Sequence, residues 1–350
     1  MRYAMISMMA ALVLMAGMPA WLLPYESESY TQQEIHEPIL IADEPVTDTK
    51  PGLTDPVSTQ TLEPDPVDAP NADTKTTLRI LHTDTGEIEE MDLDTYLYGV
   101  VFGEMPASFG LESLKAQAVA ARTYTLYQIQ TGGGHLGADL CDDSRCCQNY
   151  IAREEAVAAW GESVVEDAWE LVRQAVDSTS GEVLEYNGEL IAALYHASSY
   201  GKTEEACYVW GGDVIYLQSV DSPDEDITES VTVDLQTLQT ALEQGGYTVN
   251  GDPCEWVGET VLTPSGRVKS VKICGQEVPG VWLRGALGLK SAMFDITYDG
   301  TSFVFTTHGS GHGVGMSQYG ARAYALKGWS YREILEHYYS GAVVVSSRNG

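Results

Sequence analysis

Residues 96–126 read YLYGVVFGEMPASFGLESLKAQAVAARTYTL, and the break inside this stretch decides how the chain folds. Upstream of the break, Leu93, Leu97, Val100 and Val101 fall at i, i+4, i+7 and i+8, which is one face of a short helix. Pro106 disfavours a helical conformation at Met105, so that helix is expected to stop near Glu104. Downstream, residues 112–134 (ESLKAQAVAARTYTLYQIQTGGG) are Ala-rich and end in glycines, which predicts a second helix with a glycine stop. Glu104 then sits at a corner among Val100, Val101, Phe102 and Met105. A carboxyl desolvated by such neighbours has a raised pKa, which suits a general acid that must be protonated near neutral pH. The competing reading is an ordinary helix-end glutamate facing water. Glu112 lies past a turn and reads as solvated. Hydrolysis by a carboxylate pair needs a partner about 5–10 Å away, so a one-carboxylate mechanism is the alternative to consider.

Outward from this corner the pattern is mixed. Residues 77–84 (TLRILHTD) have strand patterning, with a turn at Gly86 that makes a hairpin. A helical tract is expected over 153–177. Residues 181–197 (GEVLEYNGELIAALYHA) carry Asn187-Gly188 between apolar runs, which suits a type I′ hairpin turn. Residues 213–300 are β-patterned, with one short helix expected around 235–243 and no internal repeat. The stretch 307–341 reads as a Gly-rich loop, a helix through Ala321 to Leu326, and a second helix ending near Tyr339. Interspersed helices and hairpins favour α+β over a doubly wound parallel sheet. The expected architecture is a set of helices and antiparallel hairpins around a catalytic groove, with a β-rich subdomain near 213–300.

The N-terminal end is different. Residues 3–23 carry no charge and as a helix would span about 31 Å, close to a hydrocarbon core of about 30 Å. Arg2 precedes this run while Glu26 and Glu28 follow it, which orients the remainder outside the membrane. A signal peptide cut after Ala20 is the rival reading. Residues 25–75 hold 12 acidic residues, 2 lysines and 7 prolines with no sustained period, so they read as a disordered, self-repelling tether. The expected organisation is an anchor at 1–24, a linker at 25–75 and a folded domain at 76–350, placing a single-pass protein at the cell membrane with its domain extracytoplasmic. The chain of 350 residues has a formal net charge of −32, which disfavours nucleic-acid binding.

Two further clusters carry chemistry. Residues 135–147 (HLGADLCDDSRCC) place His135, Cys141, Cys146 and Cys147 close together, and Cys₃His is a closed zinc set. A Cys141–Cys146 disulfide or buried thiols are the alternatives. Cys254 and Cys274 suit an extracytoplasmic disulfide, which would leave Cys207 odd. Glycines 309, 311, 313 and 315 let the backbone approach a ligand or take positive φ. Beside them His312, Ser317 and Gln318 offer neutral donors and acceptors that fit sugar hydroxyls and amides. A tight structural turn with a satisfied histidine reads equally well.

Together, residues 96–126, CDDSRCCQNY at 141–150, AVDSTSGEVLEYNGELIAALYHASSYGKTEEACYVWGG at 175–212, YLQSVDSP at 216–223 and the Gly-rich stretch to Gly341 resemble the stage II sporulation protein D, or amidase-enhancer, family. The resemblance covers residues 76–345. It implies a lytic transglycosylase that cleaves MurNAc–GlcNAc bonds in glycan strands already stripped of stem peptides, leaving 1,6-anhydro ends. It places the catalytic acid on Glu104 and a family arginine on Arg122, which steadies substrate or the local backbone. Gln117, Ser198, Ser199, His312, Ser317 and Gln318 are the other expected substrate contacts. Structural Zn²⁺ would be held by His135, Cys141, Cys146 and Cys147, with Cys146 where the family usually has histidine. Tyr200 departs from a family Gly-Gly pair. The implied partners are peptidoglycan, a cell-wall amidase and membrane proteins of the engulfment machinery. A non-catalytic amidase enhancer and an unrelated metal-dependent hydrolase are the alternative functions.

Overall fold

The computed structural model of the chain describes residues 76–132, 135, 137–224 and 227–346. The expected anchor and acidic linker lie outside these residues. Among the described residues, no helix is long and apolar enough to cross a membrane.

The corner forms where the sequence places it. Asp92 caps the helix Leu93–Glu104 by accepting from the Thr95 N–H, and Met105 is extended at φ −134°, ψ 127°. After a single 3₁₀ turn, Ala107–Phe109, the chain enters the long helix Leu111–Thr131, which ends at Gly132 in the left-handed region. This helix is the spine of the molecule. Ala116, Val119 and Ala120 pack into one core with the C-terminal helices Gln318–Leu326 and Tyr331–Tyr338. Leu114, Ala118 and Ala121 pack into a second core with Leu93–Glu104 and Glu162–Ser178. Its small side chains admit close neighbours on both faces, which is why an alanine-rich helix is buried here rather than displayed.

Short sheets surround the spine. Thr77–Leu81 pairs antiparallel with Ile88–Asp92 and parallel with Leu140–Cys141. Glu182–Tyr186 pairs with Glu189–Leu190 through a turn in which Asn187 and Gly188 take φ of 54° and 83°, and with Val343–Ser346 on its other side. The buried residues of a third core all fall between Val233 and Phe305, on two three-stranded antiparallel sheets and the helices Leu235–Gln244 and Gly280–Leu287. The whole is a mixed α+β structure.

Two expectations need correction. The tract 153–177 is two helices, Arg153–Trp160 and Glu162–Ser178, because Gly161 takes φ +86° between them. Cys254 and Cys274 are free thiols, as are the other four cysteines, so the expected disulfide is absent. Cys254 sits exposed in a 3₁₀ turn, whereas the Cys274 thiol faces the Asn250 carbonyl at 3.5 Å.

Candidate active site

Glu104 ends its helix half-buried, with each carboxyl oxygen held separately. The Asn149 backbone N–H donates to Oε1 at 2.8 Å, and the Gln318 amide donates to Oε2 at 3.2 Å. The Tyr195 hydroxyl also reaches the carboxyl. Burial raises the Glu104 pKa above the ordinary carboxyl value, while the donors Asn149 and Gln318 pull it back by favouring the ionised form.

Each donor is placed by a different part of the chain. Gln318 is the first residue of the helix capped by Ser317, and its amide also meets Gln117 Oε1 at 3.4 Å. Tyr195 lies on a two-residue strand parallel to Met316–Ser317, and its hydroxyl donates to Gln148 Oε1 at 2.8 Å. The Gln148 amide is in turn anchored on Thr125 Oγ1 at 2.9 Å.

Asn149 arrives through a close approach of backbones. Segment 147–151 lies along the helix Leu93–Glu104 over Gly99 and Gly103, one turn apart. A Cβ on Gly99 would sit 2.3 Å from the Tyr150 ring, and one on Gly103 would sit 2.7 Å from the Asn149 carbonyl oxygen. The Asn149 side chain clamps the same place by donating to the Gly103 carbonyl at 2.7 Å. Tyr150 stacks on Tyr96 at 5.6 Å, and the Ile151 N–H donates to the Gly99 carbonyl.

The segment begins at the thiol cluster. The ligand atoms of His135, Cys141, Cys146 and Cys147 all lie within 4.8 Å of one another. His135 Nε2 stands 3.3 Å from Cys147 Sγ and 3.7 Å from Cys146 Sγ. Tetrahedral zinc with bonds of about 2.0–2.3 Å requires ligand separations of roughly 3.3–3.8 Å, which the two distances from His135 match, and Cys₃His is a donor set that suits that ion. The Cys141 N–H lies 3.5 Å from Cys147 Sγ, a contact of the kind that orients a thiolate ligand. Hydrogen bonding among the three thiols pulls Cys146 down and pushes Cys141 and Cys147 up.

The Gly-rich loop is seated against residues 194–199. Gly309, Gly311, Gly313 and Gly315 all take positive φ, and a Cβ on Gly315 would lie 2.0 Å from the Leu194 carbonyl oxygen. This close packing is what lets Ser317 and Gln318 follow directly into the site.

The remaining expected contacts fall elsewhere. Arg122 is 1% exposed, and its guanidinium donates to the carbonyls of Thr179, Val176 and Glu182. It closes the C-terminal end of Glu162–Ser178, so of its two expected roles the contacts are those of the local backbone and not of a substrate ligand. Ser199 is fully buried. Its N–H donates to Asp224, and its hydroxyl meets His196 Nε2 at 2.6 Å. Because His196 Nδ1 must donate to the Val314 carbonyl, Nε2 is the acceptor and the imidazole is neutral. Ser317 donates to the same Asp224 carboxylate at 2.6 Å, and Ser198 is buried where its backbone bridges Ser310. These three serines brace the loop and are likewise corrected as direct contacts. His312 is partly exposed beside the rings of His196 and Trp210, and burial of its imidazole beside Arg284 pushes its pKa down to about 3.

Comparison with known proteins gives a consistent family. The family model described as Stage II sporulation protein matches residues 82–186. The chain is similar to Stage II sporulation protein D of Bacillus subtilis (strain 168), 35% identical over 289 residues, covering 81% of each chain. The protein of the same name in Bacillus amyloliquefaciens is 34% identical over 285 residues, 80% of this chain and 79% of that one. Amidase enhancer of Bacillus subtilis (strain 168) is 31% identical over 304 residues, 71% of this chain and 40% of that protein.

Proposed function

The chain belongs to the stage II sporulation protein D family, and from that premise we propose that it is a lytic transglycosylase of peptidoglycan glycan strands, acting in sporulation. The observation that carries the reading is a single half-buried carboxyl, raised in pKa, with a separate donor on each oxygen.

In the first half-step, protonated Glu104 gives its proton to the glycosidic oxygen between N-acetylmuramic acid and N-acetylglucosamine, and the C1–O bond breaks. The carboxylate left behind is stabilised at once by the Asn149 N–H on Oε1 and the Gln318 amide on Oε2. In the second half-step the same carboxylate takes the proton from the muramyl C6 hydroxyl. O6 then bonds to C1 and closes the 1,6-anhydro ring. The proton count balances without water, so one carboxylate suffices. Donors alone would lower the pKa and leave little of the protonated acid near neutral pH, and burial alone would raise it and leave little of the carboxylate base. The two together serve both halves.

Zn²⁺ held by His135, Cys141, Cys146 and Cys147 would supply a rigid tie rather than a reacting centre, since four protein ligands leave no open position. The tie would fix Cys147, from which Gln148 positions Tyr195 and Asn149 positions Glu104. We further propose that the apolar run 3–23 anchors the chain and that the acidic tether carries the domain out to the wall, where an amidase prepares its substrate. The name of one relative favours a second reading, in which the same site binds glycan to enhance an amidase. The discriminating experiment treats peptide-free glycan with the purified chain and with Glu104→Gln. The proposal expects anhydro-muramyl products from the parent and none from the variant. Undiminished turnover by the variant would remove Glu104 from its role, and enhancement of an amidase by an inactive variant would favour the second reading.

A further inference from the structure

Residues 263–267 (TPSGR) turn between the strands Val257–Leu262 and Val268–Ile273 of the β-rich subdomain, and the Thr263 N–H closes the turn on the Arg267 carbonyl at 2.8 Å. The arginine of this turn does not face water. Arg267 is 3% exposed, and its guanidinium donates to the Lys202 carbonyl at 3.0 Å and to the Ser199 carbonyl at 3.1 Å. Its Nε is buried without an acceptor, so the side chain is held here at a cost that water would relieve. Glu204, equally buried, balances it. The Glu204 carboxyl accepts from the Thr263 and Ser265 hydroxyls of the same turn at 2.7 and 2.8 Å, and the Ser265 oxygen accepts from Arg267 at 3.0 Å.

Both buried groups converge on one short stretch of the Gly-rich loop. Gly313 lies flat against the guanidinium, where a Cβ would strike Nε, Cζ and Nη2 alike. The Gly313 carbonyl accepts from the Glu204 N–H at 2.8 Å, and the Val314 carbonyl accepts from His196 Nδ1 at 3.1 Å. Ser199, whose carbonyl Arg267 holds, fixes the other nitrogen of that imidazole. Four residues beyond Val314, Gln318 donates to Glu104. We propose that Arg267 is a positioning residue for the reaction: from beneath Gly313 it holds the loop at the height from which the Gln318 amide reaches the Glu104 carboxyl. The β-rich subdomain thereby takes part in setting the acid. This rests on the reading of Glu104 as that acid.

The test titrates Glu104 by carboxyl ¹³C NMR of the full chain with labelled glutamate, its resonance identified by its loss in Glu104→Gln. Gln318→Leu removes a donor that favours the ionised form, so the Glu104 pKa should rise by about one unit, tenfold in the ionisation constant. Arg267→Met should produce most of that rise, and the double variant should rise no further than Gln318→Leu alone. Glu204, Asp224 and Arg284 are charged groups that bear on Arg267, and Tyr195 is a titratable neighbour of Glu104; all four stay in place in every variant. A rise in the double variant equal to the sum of the two single rises would mean that Arg267 acts through its charge, and it overturns the proposal, as does an unmoved Glu104 in Arg267→Met. Arg267→Lys keeps the charge beside Glu204 but spans only one of the two carbonyls, so it should show a smaller rise. Should Arg267→Met not fold, an unmoved Glu104 in Arg267→Lys overturns the proposal in its place. Coupled titrations in a chain that makes no anhydro ends would remove the reaction and leave Arg267 standing. Anhydro ends made by a chain whose Glu104 ignores Arg267 would do the reverse.

Discussion

Gly103→Ala tests whether the active acid depends on the backbone contact beneath it. In an open helix this change would stabilise the protein by about 0.5–1 kcal/mol. Here the new Cβ would lie 2.7 Å from the Asn149 carbonyl oxygen and 3.2 Å from its side-chain nitrogen. Segment 147–151 would have to retreat by up to about 0.7 Å to reach ordinary contact, which stretches the 2.8 Å bond from Asn149 to Glu104 and the 2.7 Å bond from Asn149 to Gly103. Losing one charge-assisted and one neutral hydrogen bond costs about 2–4 kcal/mol, so the net destabilisation is about 1–3 kcal/mol. For a folded part of this size the melting temperature should fall by about 2–9 °C. The Asn149 N–H favours the ionised form, so its loss raises the Glu104 pKa further, by about one unit for each 1.4 kcal/mol. The high-pH limb of the activity profile should move upward by that amount while the rate at the optimum falls. Calorimetry and a pH–rate profile read both effects. A Gly103→Ala protein that melts at or above the parent, with an unmoved limb, would refute the seating of this segment on the helix.

Other consequences are as direct. A carboxyl whose folded pKa is raised costs stability as pH climbs from its unfolded value of about 4.3 through the folded one, so Glu104→Gln should stabilise the chain more at pH 8 than at pH 4; equal melting shifts at both would argue against burial of the charge. Elemental analysis of protein purified without chelator should find one zinc per chain, and Cys147→Ser should lower both zinc content and melting temperature. Gly315→Ala places a side chain at φ +72° with its Cβ 2.0 Å from the Leu194 carbonyl oxygen, which should cost at least about 2 kcal/mol in denaturant titration.

The local events of this fold were written in local chemistry. Pro106 ends one helix, Gly132 ends the next, and Asn187-Gly188 turns a hairpin, because each acts on backbone within a residue or two of itself. Glu104 was legible for the same reason, since its apolar neighbours flank it in sequence. Its donors were not, because Asn149 and Gln318 reach it from 45 and 214 residues away. One signal for Asn149 was present and unread. Gly99 and Gly103 stand four apart inside a helix, where glycine is costly unless something packs close. For Arg122 the resemblance left substrate and local backbone open, and only the fold decides between them, because its guanidinium meets carbonyls on a helix end more than fifty residues away in sequence. Gly161 was overlooked because the helical pattern resumes immediately after it.

The account stands most directly on where the oxygen that closes on C1 comes from. Digesting peptide-free glycan with the full chain in water enriched in ¹⁸O and weighing the muramyl ends decides it. Internal attack by O6 predicts anhydro ends with no ¹⁸O, whereas reducing ends that carry the label would mean that water had attacked and that Glu104 is not working alone.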